Sequence, residues 1–361
     1  AMRSGTREVA DLPGFPLLAE SRFDSSPYSG ITPEGDPMLY WVSGSSVQGM
    51  NPASGTRVAL EMDDSGYVVP VYDKHGIISA LWAVSARGTV YYLDSQLDPY
   101  EGFPVFSGQT VSGPPTGFSD RVAIPLRDGR ILIVQLDGNR MFSGHLGGYS
   151  RSGLAAGAGY IAIIPRSFDS SMYLLRADGS LLTGWPQPLS GIAAAAPLIV
   201  PDGEDSLVCA LTEGGIFSVY SPEGEVQEGF PVSLPGVFTA SPVWLSDVSA
   251  YLLVSVQGDV FLIDHHGLIR RRVHVDGIRG REIRVFVADL TRDGRQDIFI
   301  GSESNRIVGL KSDLSLLPSF SAAGRGRSSS LDVDGDGQLE LITAGLDNKI
   351  HAYSFPEDDR W

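Results

Sequence analysis

The sequence predicts an all-β protein, an eight-bladed β-propeller, and three observations support this fold class. One short sequence mark recurs about every 43 residues, a second mark follows the same period, and no segment has a convincing helical apolar stripe. A repeat of this length that supplies about four strands is typical of a propeller blade. The 361 residues accommodate eight such repeats. Seven blades are the alternative.

The first mark is a pair of apolar residues three positions apart, usually next to a turn-forming residue. Successive pairs begin 43, 43, 39, 44, 44, 47 and 43 residues apart. The eight pairs are Val47/Met50, Val90/Leu93, Ile133/Leu136, Met172/Leu175, Ile216/Val219, Val260/Ile263, Ile307/Leu310 and Ile350/Tyr353. Because the spacing stays close to one value, the pairs indicate eight equivalent units.

The second mark is the tripeptide Gly-aromatic-Pro. It occurs at Gly14-Phe15-Pro16, Gly102-Phe103-Pro104, Gly184-Trp185-Pro186 and Gly229-Phe230-Pro231, with spacings of two, two and one repeats. The first copy stands near the start of the chain, whereas the last repeat supplies only three strand-like segments. An N-terminal strand is therefore expected to complete the last blade and close the ring, whereas a solenoid would need polar end caps.

The strands themselves are predicted from short runs of β-branched and aromatic residues between turn formers. The run Thr89–Leu93 is typical. Many runs are apolar on consecutive residues, which predicts sheets covered on both faces. Runs of small residues at 155–158, 193–196, 239–241 and 328–330 are expected to form crowded innermost strands.

Composition limits the class of protein. The chain has 27 Lys and Arg against 43 Asp and Glu, a net charge of −16, which disfavours general nucleic-acid binding. No apolar stretch reaches the roughly 18 to 20 residues of a transmembrane helix. Residues 1–361 are expected to form one domain, with residues 1–5 as a cloning remnant or disordered start. Any signal peptide or lipid anchor is expected to have been removed.

Two acidic loops carry the chemistry. In 332–340, acidic residues occupy positions 1, 3, 5 and 9, and glycine occupies position 6. Calcium needs six to eight oxygen ligands, and alternating carboxylates on a tight loop can converge on one point. The segment 289–297 repeats the arrangement 43 residues earlier, with threonine at position 3. Both loops therefore predict cation sites, the second with one charge fewer.

These loops and the apolar strands after them resemble FG-GAP/VCBS repeats, including the calcium-binding blades of integrin alpha-chains. The resemblance implies that the ligands of the first site are Asp332, Asp334, Asp336, the Gln338 carbonyl and Glu340. In the second site they are Asp289, Thr291, Asp293, the Arg295 carbonyl and Asp297. Glu340 and Thr291 depart from the aspartates of the family pattern. The other six repeats resemble quinoprotein-like propellers of bacterial envelopes, of the outer-membrane assembly lipoprotein type.

The sequence contains no recognisable catalytic motif. The six histidines form no zinc-binding spacing, and the nucleophile elbow, the phosphate-binding loop and the dinucleotide fingerprint are missing. Quinoprotein dehydrogenases, which also have eight blades, usually carry longer loops and in many cases adjacent cysteines. Repeats of about 43 residues leave little room for such loops, and the single cysteine, Cys209, excludes a vicinal pair.

Positive charge concentrates in one stretch of this acidic chain. Residues 265–330 contain 12 Lys and Arg against 7 Asp and Glu. The stretch predicts a docking patch for an anionic partner, such as an acidic protein segment, a glycan or a lipid headgroup. The arginines of the predicted patch are Arg270, Arg271, Arg272, Arg279, Arg281 and Arg284.

The sequence thus predicts a non-catalytic protein-interaction scaffold with structural calcium, located in the bacterial periplasm or outside the cell. The expected partner is another envelope protein or an acidic segment. A quinoprotein-like dehydrogenase and a glycan-binding propeller are the alternatives. The second would need exposed aromatic residues in phase with the repeat, and Trp41, Trp82, Trp185 and Trp244 do not share one repeat position.

Overall fold

The structure, a computed structural model, describes residues 10–19, 23–166, 170–202, 205–324, 326, 328–345 and 347–355. The predicted remnant at 1–5 lies outside these residues. All regular secondary structure in the described part is β-strand: 32 strands form eight antiparallel sheets of four strands each. The protein is an eight-bladed β-propeller, and the prediction of this fold is confirmed. Among the described residues, no helix is long and apolar enough to span a membrane.

The strands are named in chain order, and each blade is numbered by its position along the chain. Blade 1 contains β2 (Tyr28–Ile31), β3 (Pro37–Ser43), β4 (Ser46–Met50) and β5 (Arg57–Glu61). Blade 2 contains β6 (Gly66–Tyr72), β7 (Ile78–Ser85), β8 (Thr89–Leu93) and β9 (Val105–Phe106). Blade 3 contains β10 (Thr116–Phe118), β11 (Arg121–Pro125), β12 (Ile131–Gln135) and β13 (Arg140–Phe142). Blade 4 contains β14 (Leu154–Gly157), β15 (Tyr160–Ile163), β16 (Ser171–Arg176) and β17 (Gln187–Pro188).

The remaining blades follow the same order, and the last one includes the first strand of the chain. Blade 5 contains β18 (Leu198–Asp202), β19 (Asp205–Leu211), β20 (Ile216–Tyr220) and β21 (Val232–Ser233). Blade 6 contains β22 (Val243–Leu245), β23 (Ala250–Val254), β24 (Asp259–Asp264) and β25 (Ile269–His274). Blade 7 contains β26 (Arg284–Ala288), β27 (Asp297–Gly301), β28 (Arg306–Lys311) and β29 (Leu316–Ala323). Blade 8 contains β30 (Ser328–Leu331), β31 (Glu340–Ala344), β32 (Lys349–Tyr353) and β1 (Leu17–Leu18).

The chain divides into two compact units. The first comprises 1–43, 49–57 and 236–361, and it contains blades 6, 7 and 8. The second comprises 44–48 and 58–235, and it contains blades 2 to 5. Both acidic loops and all six arginines of the predicted patch belong to the first unit. The single domain proposed for 1–361 stays a prediction.

Both sequence marks have a structural meaning. Each of the eight apolar pairs lies on the third strand of its blade, except that Leu136 follows the end of β12. Gly-aromatic-Pro directly precedes the fourth strand in blades 2, 4, 5 and 8. The predicted small-residue strands are present at 155–157 and 328–330. The runs 193–196 and 239–241 instead precede β18 and β22, which corrects that prediction.

The N-terminal segment closes the ring as predicted. Leu17 and Leu18 of β1 pair with Ile350 and Lys349 of β32. The Leu12 N–H donates to the Ala352 carbonyl at 2.8 Å. At the equivalent position of blade 2, the Tyr100 N–H donates to the Tyr92 carbonyl. The join between the two ends of the chain therefore reproduces the geometry of a continuous blade.

Consecutive apolar residues are buried because neighbouring sheets cover both faces of a blade. All five residues of β23, β27 and β31 are buried. Trp82 is fully buried, with its ring centroid 4.6 Å from Tyr92 and 5.7 Å from Phe103. Trp41 and Trp82 are each the fifth residue of the second strand of their blade, and both are buried. These tryptophans stabilise the core and offer no surface to a sugar.

Candidate functional site

The loop that joins β30 to β31 brings three predicted ligands together. One carboxylate oxygen from each of Asp332, Asp334 and Glu340 lies within 4.8 Å of the other two. Calcium binds oxygen at about 2.3–2.6 Å, so two oxygen ligands on opposite sides of one ion are about 4.6–5.2 Å apart. The spacing and the all-oxygen donor set therefore fit a single calcium ion.

Backbone N–H groups hold two of these carboxylates in place. Asp332 accepts hydrogen bonds from Gly335 at 2.8 Å and from Gly337 at 3.0 Å, one on each oxygen. Glu340 accepts one from the Val333 N–H at 3.0 Å. Gly335 and Gly337 have φ of +77° and +83°, a conformation that glycine adopts without steric cost. The two glycines thus allow the chain to wrap around Asp332.

Glu340 is the most perturbed acid of the loop. It is the first residue of β31 and only 1% exposed. The pKa of Glu340 is raised to about 7, mostly by burial and additionally by the charges of Asp334, Asp336 and Asp332, whereas the hydrogen bond from the Val333 N–H opposes the shift. A cation at this point would favour the charged form and relieve the repulsion among the carboxylates.

The remaining two predicted ligands of this loop occupy different positions. Asp336 is exposed, and its carboxylate accepts a hydrogen bond from the Gln338 N–H at 2.7 Å. It does not belong to the group of three converging carboxylates. Gln338 was expected to contribute its carbonyl, and that role stays a prediction. The structure therefore assembles the acids at loop positions 1, 3 and 9.

The equivalent loop between β26 and β27 is organised by hydrogen bonds. Asp297, 1% exposed, accepts bonds from the Leu290 and Thr291 N–H groups at 2.9 and 2.8 Å and from the Thr291 hydroxyl at 3.2 Å. Burial raises the pKa of Asp297, and the Asp293 charge adds to the shift, whereas the bonds from Leu290 and Thr291 oppose it. Lys311 lies 3.8 Å from Asp293. Within the described residues, these side chains form no cluster of three acidic ligands.

One oxygen of this second loop still lacks a partner. Oδ2 of Asp289 accepts a hydrogen bond from the Gly294 N–H at 3.1 Å, whereas Oδ1 is shielded from solvent and has no hydrogen-bond partner among the described residues. Arg295, the remaining predicted ligand, is exposed, and its N–H donates to Asp293 at 2.9 Å. The second calcium stays a prediction.

Arg292 connects the two acidic loops, a contact that the sequence pattern does not predict. It lies at position 4 of the blade 7 loop, has φ of +57° and donates a hydrogen bond to the Gly337 carbonyl in the blade 8 loop. The sequence shows an arginine beside acidic residues but does not show where its side chain points. This contact fixes the backbone of the candidate calcium loop from the neighbouring blade.

The predicted arginine patch is divided between two elements and their connection. Arg270, Arg271 and Arg272 lie on the outermost strand β25. The pairing with β24 is irregular at Arg270, whereas Arg271 and Arg272 follow the regular alternation and point to opposite faces. Each is near an aspartate: Asp264 at 3.3 Å, Asp313 at 3.8 Å and Asp259 at 3.2 Å, respectively. Arg279 and Arg281 lie in the connection to blade 7, and Arg284 begins β26. Paired aspartates reduce the positive charge of the β25 arginines, and a docking role for all six stays a prediction.

Among these aspartates, Asp264 accepts hydrogen bonds from two backbone N–H groups and from Arg270, and it makes a pH-dependent contribution to stability. Burial opposes its ionisation, but bonds from the Leu268 and His266 N–H groups and from Arg270 outweigh burial and lower its pKa below the ordinary 3.8. The stabilisation is therefore present above pH 3.8 and is lost as the pH falls through the lower, folded-state pKa.

Asp264→Asn is accordingly expected to lower the free energy of unfolding by roughly 1 kcal/mol at pH 7 and by less at pH about 3. Urea denaturation at the two pH values measures the difference. Asp313→Asn is the control, because Asp313 is half exposed and its ion pair is expected to contribute less than about 0.5 kcal/mol. An Asp264→Asn deficit that does not shrink in acid would contradict this origin.

Comparisons with known proteins show the fold and no family. No protein-family model and no curated protein matches the sequence. The structure of BamB from Moraxella catarrhalis is similar, with a TM-score of 0.65, 16% identity, and coverage of 97% of this chain and 100% of that chain. BBS1N, solved in complex with ARL6DN, gives a TM-score of 0.56 at 12% identity, with coverage of 97% and 98%.

An enzyme is also among the similar structures. The dihydro-heme d1 dehydrogenase NirN, in complex with DHE, gives a TM-score of 0.61 at 13% identity. The match covers 80% of this chain and 64% of that one. The shared property of all three proteins is the propeller fold, which hosts binding proteins and enzymes alike.

Proposed function

We propose that this protein is a non-catalytic protein-interaction scaffold of the bacterial envelope or exterior, with a structural calcium ion in blade 8. The observation that carries the calcium assignment is the convergence of Asp332, Asp334 and Glu340 within 4.8 Å. The loop in blade 7 is proposed as a weaker second site, because Thr291 replaces one carboxylate and Lys311 already pairs with Asp293. The ion would neutralise the clustered acids and hold the loop between two strands.

Fold and loop lengths support the scaffold role. Among the described strands, the longest connections run over 94–104, 143–153 and 221–231, which leaves little chain for an elaborated active site. BBS1N, a similar propeller, was solved bound to another protein. Rigid blades with short loops offer a preorganised surface, which lowers the entropic cost of binding a partner.

The location follows from the calcium proposal. Weak calcium sites with dissociation constants of about 10⁻⁴–10⁻³ M are typical of extracellular modules. Such a site would be filled outside the cytoplasm, where calcium reaches millimolar levels. Similarity to BamB agrees with an envelope role, and we propose the periplasm or cell exterior on both grounds.

A thermal melt tests the proposal. We expect the melting temperature to rise by about 2–5 °C when protein dialysed against EDTA receives about 1 mM CaCl₂, since an ion that binds only the folded state stabilises it. The same concentration of MgCl₂ should give a smaller rise, because magnesium demands stricter octahedral geometry. An unchanged melting temperature would show that the acidic loops are turns and would remove the calcium argument for location.

The enzymatic alternative has its own test. A quinoprotein-like dehydrogenase would acquire cofactor absorbance and redox activity after incubation with a quinone cofactor and calcium. We expect neither signal. Stoichiometric cofactor binding with turnover of an alcohol or sugar substrate would replace the scaffold proposal with an enzyme.

A further inference from the structure

A cavity between blades 4 and 5 contains charged groups that the calcium proposal does not use. Its volume is about 390 Å³, and it lies entirely within the second compact unit. Its walls come from the connections before β14 and β18 and after β15 and β19, including Arg151, Arg166, Ile192 and Glu213. The volume falls in the range of about 300–1,000 Å³ that binding pockets occupy.

Two arginines supply positive charge to this cavity. Arg166 is exposed, and its guanidinium has no hydrogen bond or ion pair among the described residues. Arg151 packs over Tyr149, with its guanidinium carbon 5.7 Å from the ring centroid. The Arg166 N–H donates to the Tyr149 carbonyl at 3.0 Å, so both arginines start from neighbouring, fixed backbone positions. In a chain of net charge −16, this pair forms a local site for an anion.

Part of the cavity lining is apolar, and backbone hydrogen bonds hold it in place. Ile192 is 61% exposed, and Ala193 and Ala194 beside it line the cavity. The Glu213 N–H donates to the Ile192 carbonyl at 2.7 Å, and the Ala194 N–H donates to the Leu211 carbonyl at 2.8 Å. These bonds fix the apolar wall against the end of β19. Glu213, the third charged group among the described residues of the lining, disfavours ligands with several negative charges in one place.

We propose that this cavity binds a carboxylate side chain within an extended peptide segment of a protein partner. Arg166 and Arg151 would hold the carboxylate, since a guanidinium matches its two oxygens. A neighbouring apolar side chain of the peptide packs on Ile192. The exposed Ile192 extends the contact surface past the arginines, which a free small carboxylate cannot cover. The inference rests on the proposed scaffold function only in taking the ligand to be part of a protein, and it does not depend on calcium.

The test follows isoleucine methyl resonances in the full chain during titration with two probe peptides. One probe is acetyl-Ser-Leu-Glu-Leu-Ser-amide, and the other has glutamine in place of glutamate. We expect the glutamate peptide to shift the Ile192 and Ile164 resonances in a saturable manner. Ile269, 46% exposed on blade 6, should not move. The neutral peptide should bind at least about tenfold more weakly, because it lacks the charge-assisted hydrogen bonds.

Variants locate the binding site. Arg166→Gln is expected to weaken binding of the glutamate peptide by about tenfold or more without changing the melting temperature, since Arg166 is exposed. Arg176→Gln is the matched control, because Arg176 is also exposed on blade 4 but does not line the cavity. Its binding should equal that of the wild type.

Three results would overturn the inference. The first is the absence of shifts at about 5 mM glutamate peptide, a concentration that detects even millimolar affinity. The second is equal affinity for the two peptides. The third is an identical set of shifts, at the same affinity, from sodium acetate, which would assign the cavity to free carboxylates. Calcium-dependent stabilisation that persists in any of these cases leaves the calcium proposal intact, so the two failures are distinguishable.

Discussion

Asp334→Ala is expected to remove most of the calcium-dependent stabilisation while leaving the melting temperature in EDTA close to that of the wild type. Asp334 is exposed, and its carboxylate accepts a hydrogen bond from the Asp336 N–H at 3.1 Å. Without metal, its charge is among those that raise the pKa of Glu340, so its loss relieves repulsion. With metal, it is one of three converging ligands, and its loss lowers affinity.

The expected size follows from mass action. At 1 mM calcium and a dissociation constant of about 0.1 mM, the ion stabilises the folded state by about 1.4 kcal/mol. We expect the variant to retain less than about half of this difference. Calorimetric melts in EDTA and in calcium measure it for both proteins.

A matched control separates the metal site from a general effect of losing an acid. Asp137 is an exposed aspartate in the turn after β12, and it also accepts a hydrogen bond from the N–H two residues later, at 3.0 Å. Asp137→Ala should therefore keep the full response to calcium. If Asp334→Ala responds like the wild type, the assignment of the ion to 332–340 is wrong.

The fold could be predicted because the repeat places the same residue types at the same structural positions. The apolar pairs mark third strands, where Val90, Ile307 and Ile350 are all fully buried. Gly-aromatic-Pro marks the entry to the fourth strand. Its copy at the start of the chain predicted ring closure, because a fourth strand was missing at the end. The limits of the inner strands were less predictable, since runs of alanine and serine suit both a strand and a loop.

The candidate calcium loop was predictable for a related reason. Ligands on one tight loop are close in sequence, so their spacing already restricts their geometry. Asp336 shows the limit of this argument, because alternation predicts that it joins the cluster, whereas the converging carboxylates are those of Asp332, Asp334 and Glu340. In blade 7, the Thr291 hydroxyl was predicted to be a metal ligand, and it donates a hydrogen bond to Asp297. The sequence pattern does not reveal this hydrogen bond.

Contacts between distant parts of the chain were not predictable. Three consecutive arginines suggested one charged patch, but Arg271 and Arg272 point to opposite faces of β25, and Asp313, which is distant in sequence, lies beside Arg271. Arg151 and Arg166 lie 15 positions apart, in segments to which no motif was assigned. They come together because the Tyr149 carbonyl pairs with the Arg166 N–H, and no local pattern encodes that pairing.

Removing residues 1–19 is expected to have the largest effect on stability, because it deletes the fourth strand of blade 8. Leu12, Phe15 and Leu17 pack on a buried cluster that includes Trp41 and Ile350. Apolar burial of this kind contributes about 1.5–3 kcal/mol for each large side chain that is fully covered. With the lost backbone bonds, we expect the free energy of unfolding to fall by on the order of 5 kcal/mol.

Comparison with a shorter truncation isolates the closing strand. Removal of 1–9 keeps the Asp11 carboxylate, which lies 3.0 Å from the His351 ring nitrogen Nδ1, and keeps β1, so it should melt close to the full chain. A synthetic peptide of residues 10–19 should restore part of the lost stability to the 1–19 truncation in a saturable manner, and a scrambled peptide should not. A 1–19 truncation that melts like the full chain would show that the pairing of Leu17 with Ile350 contributes little to holding the ring closed, and that packing between neighbouring blades is sufficient.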